Sequence, residues 1–125
     1  MGNNAKSSKA KGRRLQNFVR DQLRNLFSFL EPDDIKSQTM GMTGEDIVLS
    51  PAARKSIPYS IECKNVEKLN IWSALEQAED NANGMNPVVI FKRNRSNTYV
   101  TITFDHFMEL IGENNCQKNK TSSEK

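Results

Sequence analysis

Three ionisable side chains in two short segments could do chemistry together. Glu62 and Lys64 lie two residues apart in Ile61-Glu62-Cys63-Lys64, where a strand would point both side chains to the same face. Asp46 belongs to an earlier short strand and could join them. Two carboxylates and an ammonium group at one place suit a magnesium ion and the phosphodiester that it helps to hydrolyse. The alternative is that Glu62 and Lys64 form an ordinary exposed pair on a strand.

The composition fits one small globular domain. The chain has 125 residues, of which 36% are hydrophobic and 26% are charged. No apolar run approaches the roughly 18 residues of a membrane-spanning helix, and the first residues lack the apolar region of a secretory signal. Cys63 and Cys116 predict neither a disulfide framework nor a zinc site. We therefore expect a cytoplasmic protein in a reducing compartment, without membrane contact.

Positive charge is concentrated near the N-terminus. Residues 1–30 contain seven basic residues and one acidic residue, a net charge of +6. The rest of the chain contains eleven basic and fourteen acidic residues, a net charge of −3. A basic segment ahead of an acidic body favours a polyanionic partner such as DNA. A segment that only improves solubility is the alternative.

Periodicity and turn residues indicate the elements that must position the three side chains. Apolar residues at helical spacing predict a first helix over 12–30, ended by the proline at position 32. The later segments predict further elements: strands at 46–49, 59–64, 88–91 and 99–104, helices at 71–83 and 105–111, a loop at 50–55, and one more strand within 33–40. The order α-β-β-β-α-β-β-α predicts an α/β fold with a mixed central sheet flanked by helices.

The polar ends of the chain set the expected domain boundaries. Residues 1–10 are small, polar and basic, and we expect a disordered basic arm there. Residues 113–125 have the composition of a disordered polar tail. A single domain over 11–112 remains between them.

Several short motifs together resemble the PD-(D/E)xK nuclease superfamily, and most closely its phage-type Holliday junction resolvase-like endonucleases. The resemblance covers about residues 11–111. It rests on Lys11-Gly12 at the start of the first helix, Gly44-Glu45-Asp46-Ile47, Ile61-Glu62-Cys63-Lys64-Asn65, and Gln77 on the following helix. It implies a restriction-endonuclease-like core built on the mixed sheet described above.

The resemblance also implies a role for each site residue. Asp46 and Glu62 would bind Mg²⁺ together with the backbone carbonyl of Cys63, and Mn²⁺ would substitute. Lys64 would orient or activate the attacking water, and Gln77 would support the site, although a helix position facing solvent is the alternative for Gln77. The implied activity is that of a metal-dependent endonuclease, phage-encoded and homodimeric, that cuts four-way DNA junctions. Nucleases for other DNA structures or duplex, and a catalytically inactive DNA-binding module, are the alternatives.

One position departs from the resolvase pattern. Members of this type usually carry a glutamate a few residues after the Lys-Gly pair, where this chain has Gln16. An amide can bind a metal-bound water but carries no charge, so the number of metal ions stays open. Asp34 or Glu45 could take over from the missing carboxylate. The alternatives are that Asp34 shapes a turn and that Glu45 points to the face opposite Asp46.

Basic residues in three places are candidates for binding the DNA backbone. They are Lys11, Arg13, Arg14 and Arg20 in the first helix, Arg54 and Lys55 in the loop between the two site strands, and Lys92 and Arg93 at the predicted turn between the last two strands. Trp72 is interpreted as a core or dimer-interface residue, with base stacking as the alternative. Met85 is a second candidate for a dimer interface. His106, the only histidine, is expected in the cap of a helix whose N-cap is Asp105.

Overall fold

A computed structural model describes residues 3–39 and 41–123 of the chain. The helices and strands follow one another as α1 (Asn3–Leu26), β1 (Ile35–Ser37), β2 (Ile47–Leu49), α2 (Pro51–Ser56), β3 (Tyr59–Asn65), α3 (Ile71–Asp80), β4 (Asn86–Lys92), β5 (Tyr99–Thr101) and α4 (Phe104–Ser123), with a 3-10 turn at Pro32–Asp34. None of the helices in these ranges is both long and apolar enough to cross a membrane.

The strands form a hairpin and a three-stranded sheet. β1 pairs with β2 in antiparallel fashion. In the larger sheet the order is β3-β4-β5, with β3 and β4 parallel and β4 and β5 antiparallel. Parallel neighbours need a crossover, which α3 supplies. The predicted α/β fold with a mixed sheet and flanking helices is therefore confirmed.

Helices pack on both faces of β3 and β4 because side chains alternate along a strand. On one face, Leu15 and Val19 of α1 are buried in one cluster with Ile61 and Cys63 of β3. On the other face, small residues of α3 pack against Val89 of β4. Glu62 is paired in register with Val89, so Glu62 points toward α3 and away from the main core.

The helix ends differ from the sequence prediction. α1 begins at Asn3, where a disordered arm was expected, and ends at Leu26 instead of residue 30. α4 runs to Ser123, through most of the expected disordered tail. Neither extension contains a proline, so no residue in them forces the helix to end. The parts of the expected arm and tail at 1–2 and 124–125 lie outside the described residues.

The segment predicted as a loop at 50–55 contains a short helix, α2. Ser50 accepts a hydrogen bond from the backbone N–H of Ala53, and Pro51 occupies the first helical position. Serine before proline is a helix-start signal, so this element could have been predicted.

Two aromatic residues lie in surroundings that the sequence did not predict. Trp72 is 79% exposed, so its interpretation as a core residue is wrong. His106 is buried, and its backbone N–H donates to Oγ1 of Thr103, which caps α4 in place of Asp105. Periodicity alone could not identify either environment, because both depend on which neighbouring elements cover the helix.

Candidate active site

The structure brings Asp46, Glu62 and Lys64 together at the outer edge of the three-stranded sheet. β3 forms this edge, and the β1–β2 hairpin meets it where the backbone N–H of Asp46 donates to the carbonyl of Ile61 at 2.9 Å. Farther along β3, the N–H of Cys63 donates to Oδ2 of Asp46 at 2.7 Å. A side-chain carboxylate thus takes the place of a strand carbonyl, and it fixes Asp46 beside the residues that flank Cys63.

Glu62 is a fully buried carboxylic acid with an incomplete set of partners. Its exposed fraction is 0%, its Oε1 accepts from Nδ2 of Asn81 at 2.9 Å, and its Oε2 has no hydrogen-bond partner among the described residues. Burial raises the pKa of Glu62 from 4.5 to about 7; the hydrogen bond from Asn81 opposes the rise, Asp46 adds to it and Lys64 reduces it. The alternative of an ordinary exposed strand pair therefore does not hold for Glu62.

Lys64 is held in place by a residue of α3. Its Nζ donates to Oε1 of Gln77 at 2.9 Å, so Gln77 does turn toward the site. Asn81, the residue directly after α3, lies one helical turn beyond Gln77 on the same side. Side chains at this end of α3 therefore contact both Glu62 and Lys64. The spacing of Asn81 from Gln77 predicts a shared polar face, but it does not predict the contact of Asn81 with Glu62.

A pocket of about 190 Å³ opens beside these residues, between the middle of α1 and the hairpin. Asp46, Cys63 and Lys64 line it, as do Gly12 and Gln16 of α1. Gln16 is 7% exposed, and its Oε1 has no hydrogen-bond partner among the described residues. The structure thus places Gln16 at the same pocket as Asp46, with an unsatisfied acceptor.

Asp34 and Glu45 serve other parts of the structure. Asp34 accepts from Oγ of Ser50 at 2.7 Å and from the backbone N–H of Glu31 at 2.9 Å, so it joins the 3-10 turn to the start of α2. Glu45 forms an ion pair with Arg54. Neither residue lines the pocket that holds Asp46 and Lys64.

The donor set at the pocket is compatible with a hard cation. Within residues 3–39 and 41–123, no group of three or more His, Cys, Asp and Glu side chains is arranged to hold a metal ion. The pocket itself offers the Asp46 carboxylate, the Gln16 amide and backbone carbonyls, and the buried Glu62 carboxylate lies next to Asp46 without lining the pocket. These are oxygen ligands of the types that magnesium prefers. The unpartnered oxygens of Glu62 and Gln16 fit this requirement, because a buried acceptor without a partner is costly.

The basic residues occupy several distinct surroundings. Arg14 and Lys92 line a common pocket of about 260 Å³ together with Asn65, the residue after Lys64. Nδ2 of Asn65 donates to the carbonyl of Lys11 at 3.3 Å, which ties the end of β3 to α1. Arg13, Lys55 and Arg93 are exposed. Arg20 pairs with Asp21, and Arg54 pairs with Glu45.

Comparison with known proteins gives one match. A family model described as "Phage putative PDDEXK endonuclease" matches residues 7–124. No curated protein and no solved structure matches the chain. The family match confirms the resemblance to phage-type PD-(D/E)xK nucleases that the sequence motifs indicated.

Proposed function

Because the chain belongs to the phage PDDEXK endonuclease family, we propose that it is a Mg²⁺-dependent DNA endonuclease whose active site contains Asp46, Glu62, Lys64 and Gln77. The observation that carries this proposal is the unpartnered Oε2 of Glu62, buried close to Asp46 and Lys64. A buried carboxylate oxygen without a donor is unfavourable unless a ligand completes it.

Asp46, Glu62 and the backbone carbonyl of Cys63 would hold the metal ion, and Mn²⁺ would substitute. When bound, the ion supplies a polarised water and neutralises charge on the phosphate. The chain prepares this site by fixing Asp46 through the N–H of Cys63 and Glu62 through Asn81. Gln16 contributes a neutral oxygen in place of the usual glutamate, and this favours a single metal ion.

Lys64 places a positive charge where the scissile phosphate would lie. Its hydrogen bond to Gln77 restricts the direction of the ammonium group and leaves other N–H donors free for a phosphate oxygen or the attacking water. Gln77 acts through Lys64, and we assign it a positioning role. A fixed cation lowers the barrier more than a mobile one because less reorganisation is needed.

Glu62 has a protonation state that depends on what occupies the site. Since its pKa is raised to about 7 by burial, the empty site near neutral pH contains a mixture of acid and carboxylate. Binding of a cation would favour the carboxylate, so metal binding should release protons.

Two cations beside the site would bind the DNA backbone. Arg14 and Lys92 line one pocket, and Asn65 connects that pocket along β3 to Lys64. We propose that this pocket receives a phosphate next to the scissile one. The exposed Arg13, Lys55 and Arg93 and the half-buried Lys11 would add contacts that carry no sequence information.

We propose a four-way DNA junction as the substrate and a homodimer as the active form, since paired nicks across a near two-fold junction need two active sites. The test uses a synthetic junction, a linear duplex and a flap, each with and without Mg²⁺. Symmetric nicking of the junction alone supports this proposal. Equal cutting of duplex or flap would replace it with a broader nuclease.

The Glu62→Gln variant separates catalysis from binding in the same assay. It should bind the junction about as well as the wild type and cut no strand. Binding without cutting by the wild type itself, with Mg²⁺ and with Mn²⁺, would contradict the catalytic proposal and support an inactive DNA-binding module.

A further inference from the structure

One face of α4 is apolar and exposed. Phe104, Phe107, Met108 and Ile111 follow the spacing i, i+3, i+4, i+7 of a single helical stripe. Their exposed fractions are 73%, 49%, 49% and 40%. A stripe of this kind normally packs against another element, because it removes apolar area from water.

The contacts of α4 with the rest of the domain fix the direction of this stripe. Nε2 of the buried His106 is hydrogen-bonded to the hydroxyl of Tyr59 at 2.6 Å, and Leu110, one turn later, lines an apolar groove. His106 thus faces the domain, nearly half a turn around the helix from the centre of the stripe, and Leu110, 37% exposed, lies at the boundary between the two sides. The four stripe residues therefore cannot turn inward while His106 keeps its place.

The exposed apolar surface continues from α4 onto α1 and β5. The groove beside Leu110 has a volume of about 370 Å³ and is also lined by Leu26 and Val100. These two residues are 72% and 60% exposed. Phe29, 73% exposed, packs edge-on against Phe27, another groove residue. The α4 surface is defined as the four stripe residues with Leu26, Phe29, Val100 and Leu110.

We propose that the α4 surface binds a second copy of the chain, with α4 of one protomer packed on α4 of its partner about a two-fold axis. The assignment rests on the homodimer proposed above and names its surface. The surface has eight large side chains with on the order of 100 Å² exposed on each, or roughly 800 Å² in all. That area is about what each partner contributes to a stable interface.

The charges beside the stripe favour a protein partner over a membrane surface. Asp105, Glu109 and Glu113 lie on the exposed part of α4. Acidic residues there oppose binding to an anionic lipid surface, which favours lysine and arginine instead.

The rival dimer surface is the exposed side of α3. Trp72 is the one residue of α3 among the described large hydrophobic side chains that are exposed, whereas Met85, just after α3, is half-buried. A single exposed aromatic residue is common on monomeric proteins and requires no partner. Trp72 therefore provides the matched control for substitutions in the α4 surface.

The experiment measures the mass of the full chain in solution by light scattering and sedimentation over a concentration series. Met108→Glu and Phe107→Ala are compared with Trp72→Glu and the wild type, and circular dichroism checks that each is folded. Because a two-fold interface contains every substitution twice, we expect the dimer dissociation constant to rise at least about 30-fold for both α4 variants. The Trp72→Glu variant should dimerise like the wild type.

A monomeric wild type would overturn the assignment, as would α4 variants that dimerise normally or a Trp72→Glu variant that alone becomes monomeric. If Met108→Glu does not fold, the Phe107→Ala comparison decides, because truncation of a half-exposed side chain introduces no charge. Junction cleavage by the wild type is measured separately. A dimer that cuts no DNA would keep the α4 surface and refute the endonuclease, and a monomer that cuts would do the reverse.

Discussion

Replacing Glu62 by glutamine should stabilise the metal-free protein at alkaline pH while it abolishes cleavage. The folded protein holds Glu62 with no exposed area and with Oε2 unpartnered. A glutamine at this position can still accept from Asn81, and its amide can donate toward Asp46. The substitution therefore removes a charge that is costly to bury and keeps the shape of the side chain.

The size of the effect follows from the pKa of Glu62, which is raised from 4.5 to about 7. Below pH 4.5 the carboxyl is protonated in both the folded and the unfolded chain. No charge is then buried, and the unfolding free energy has its full value with respect to this group. Between pH 4.5 and 7 the unfolded chain releases the proton and the folded chain retains it. Each pH unit then costs about 1.4 kcal/mol of unfolding free energy, so at most about 3 kcal/mol is lost by pH 8.

The assay is urea unfolding in the presence of EDTA at several pH values from 5 to 8, for the wild type and Glu62→Gln. The difference in unfolding free energy should grow toward pH 8 in favour of the variant. Adding Mg²⁺ should then stabilise the wild type and leave the variant unchanged, since only the wild type keeps both carboxylates. Equal pH dependence of the two proteins, or a variant that is less stable at pH 8, would refute this account of Glu62.

Three further predictions concern the other site residues. Gln16→Glu should tighten Mn²⁺ binding, measured by calorimetry, because it adds a carboxylate to the pocket that Gln16 lines; unchanged affinity would place Gln16 outside the metal site. Lys64→Ala should lower the single-turnover rate by about 10²–10³-fold and Gln77→Ala by roughly 10- to 100-fold, with DNA affinity nearly unchanged; normal turnover by either variant removes that residue from the mechanism. Arg14→Ala and Lys92→Ala should each reduce the slope of log affinity against log salt by about 1; an unaltered slope would exclude the phosphate contact.

The part of the site that sequence predicts is the part set by strand periodicity. Glu62 and Lys64 both contact α3 residues because alternate positions of β3 share a face. Asp46 could be assigned because its motif precedes a short strand of the expected type. The family resemblance then supplied the pairing of the two segments, which periodicity alone leaves open.

The remaining features depend on contacts between distant segments. Asn81 reaches Glu62 only because α3 crosses β3 at a particular height. The burial of Gln16 depends on how α1 lies against the hairpin. The α4 stripe is exposed because the described elements of the domain leave its side chains uncovered. Local propensity contains none of these relationships, and tertiary packing overrides it at element ends.

Several departures from ordinary packing rules lie around Asp46, and this favours the proposed ligand site over a structural ion pair. Of the three buried side-chain oxygens without partners among the described residues, one belongs to Gln16, which lines a pocket with Asp46, and one to Glu62, whose pKa Asp46 raises. The third belongs to Asn65, the residue after Lys64. The Asp46 carboxylate also replaces a strand carbonyl as the acceptor for Cys63. If the hairpin continued to pair with β3 at this point, the backbone N–H of Cys63 would donate to a strand carbonyl and not to Asp46. A buried carboxylate at Glu62 would then have no function there. Since proteins keep such violations mainly where function requires them, the opening between the hairpin and β3 supports the proposal that a cation and a phosphate bind there.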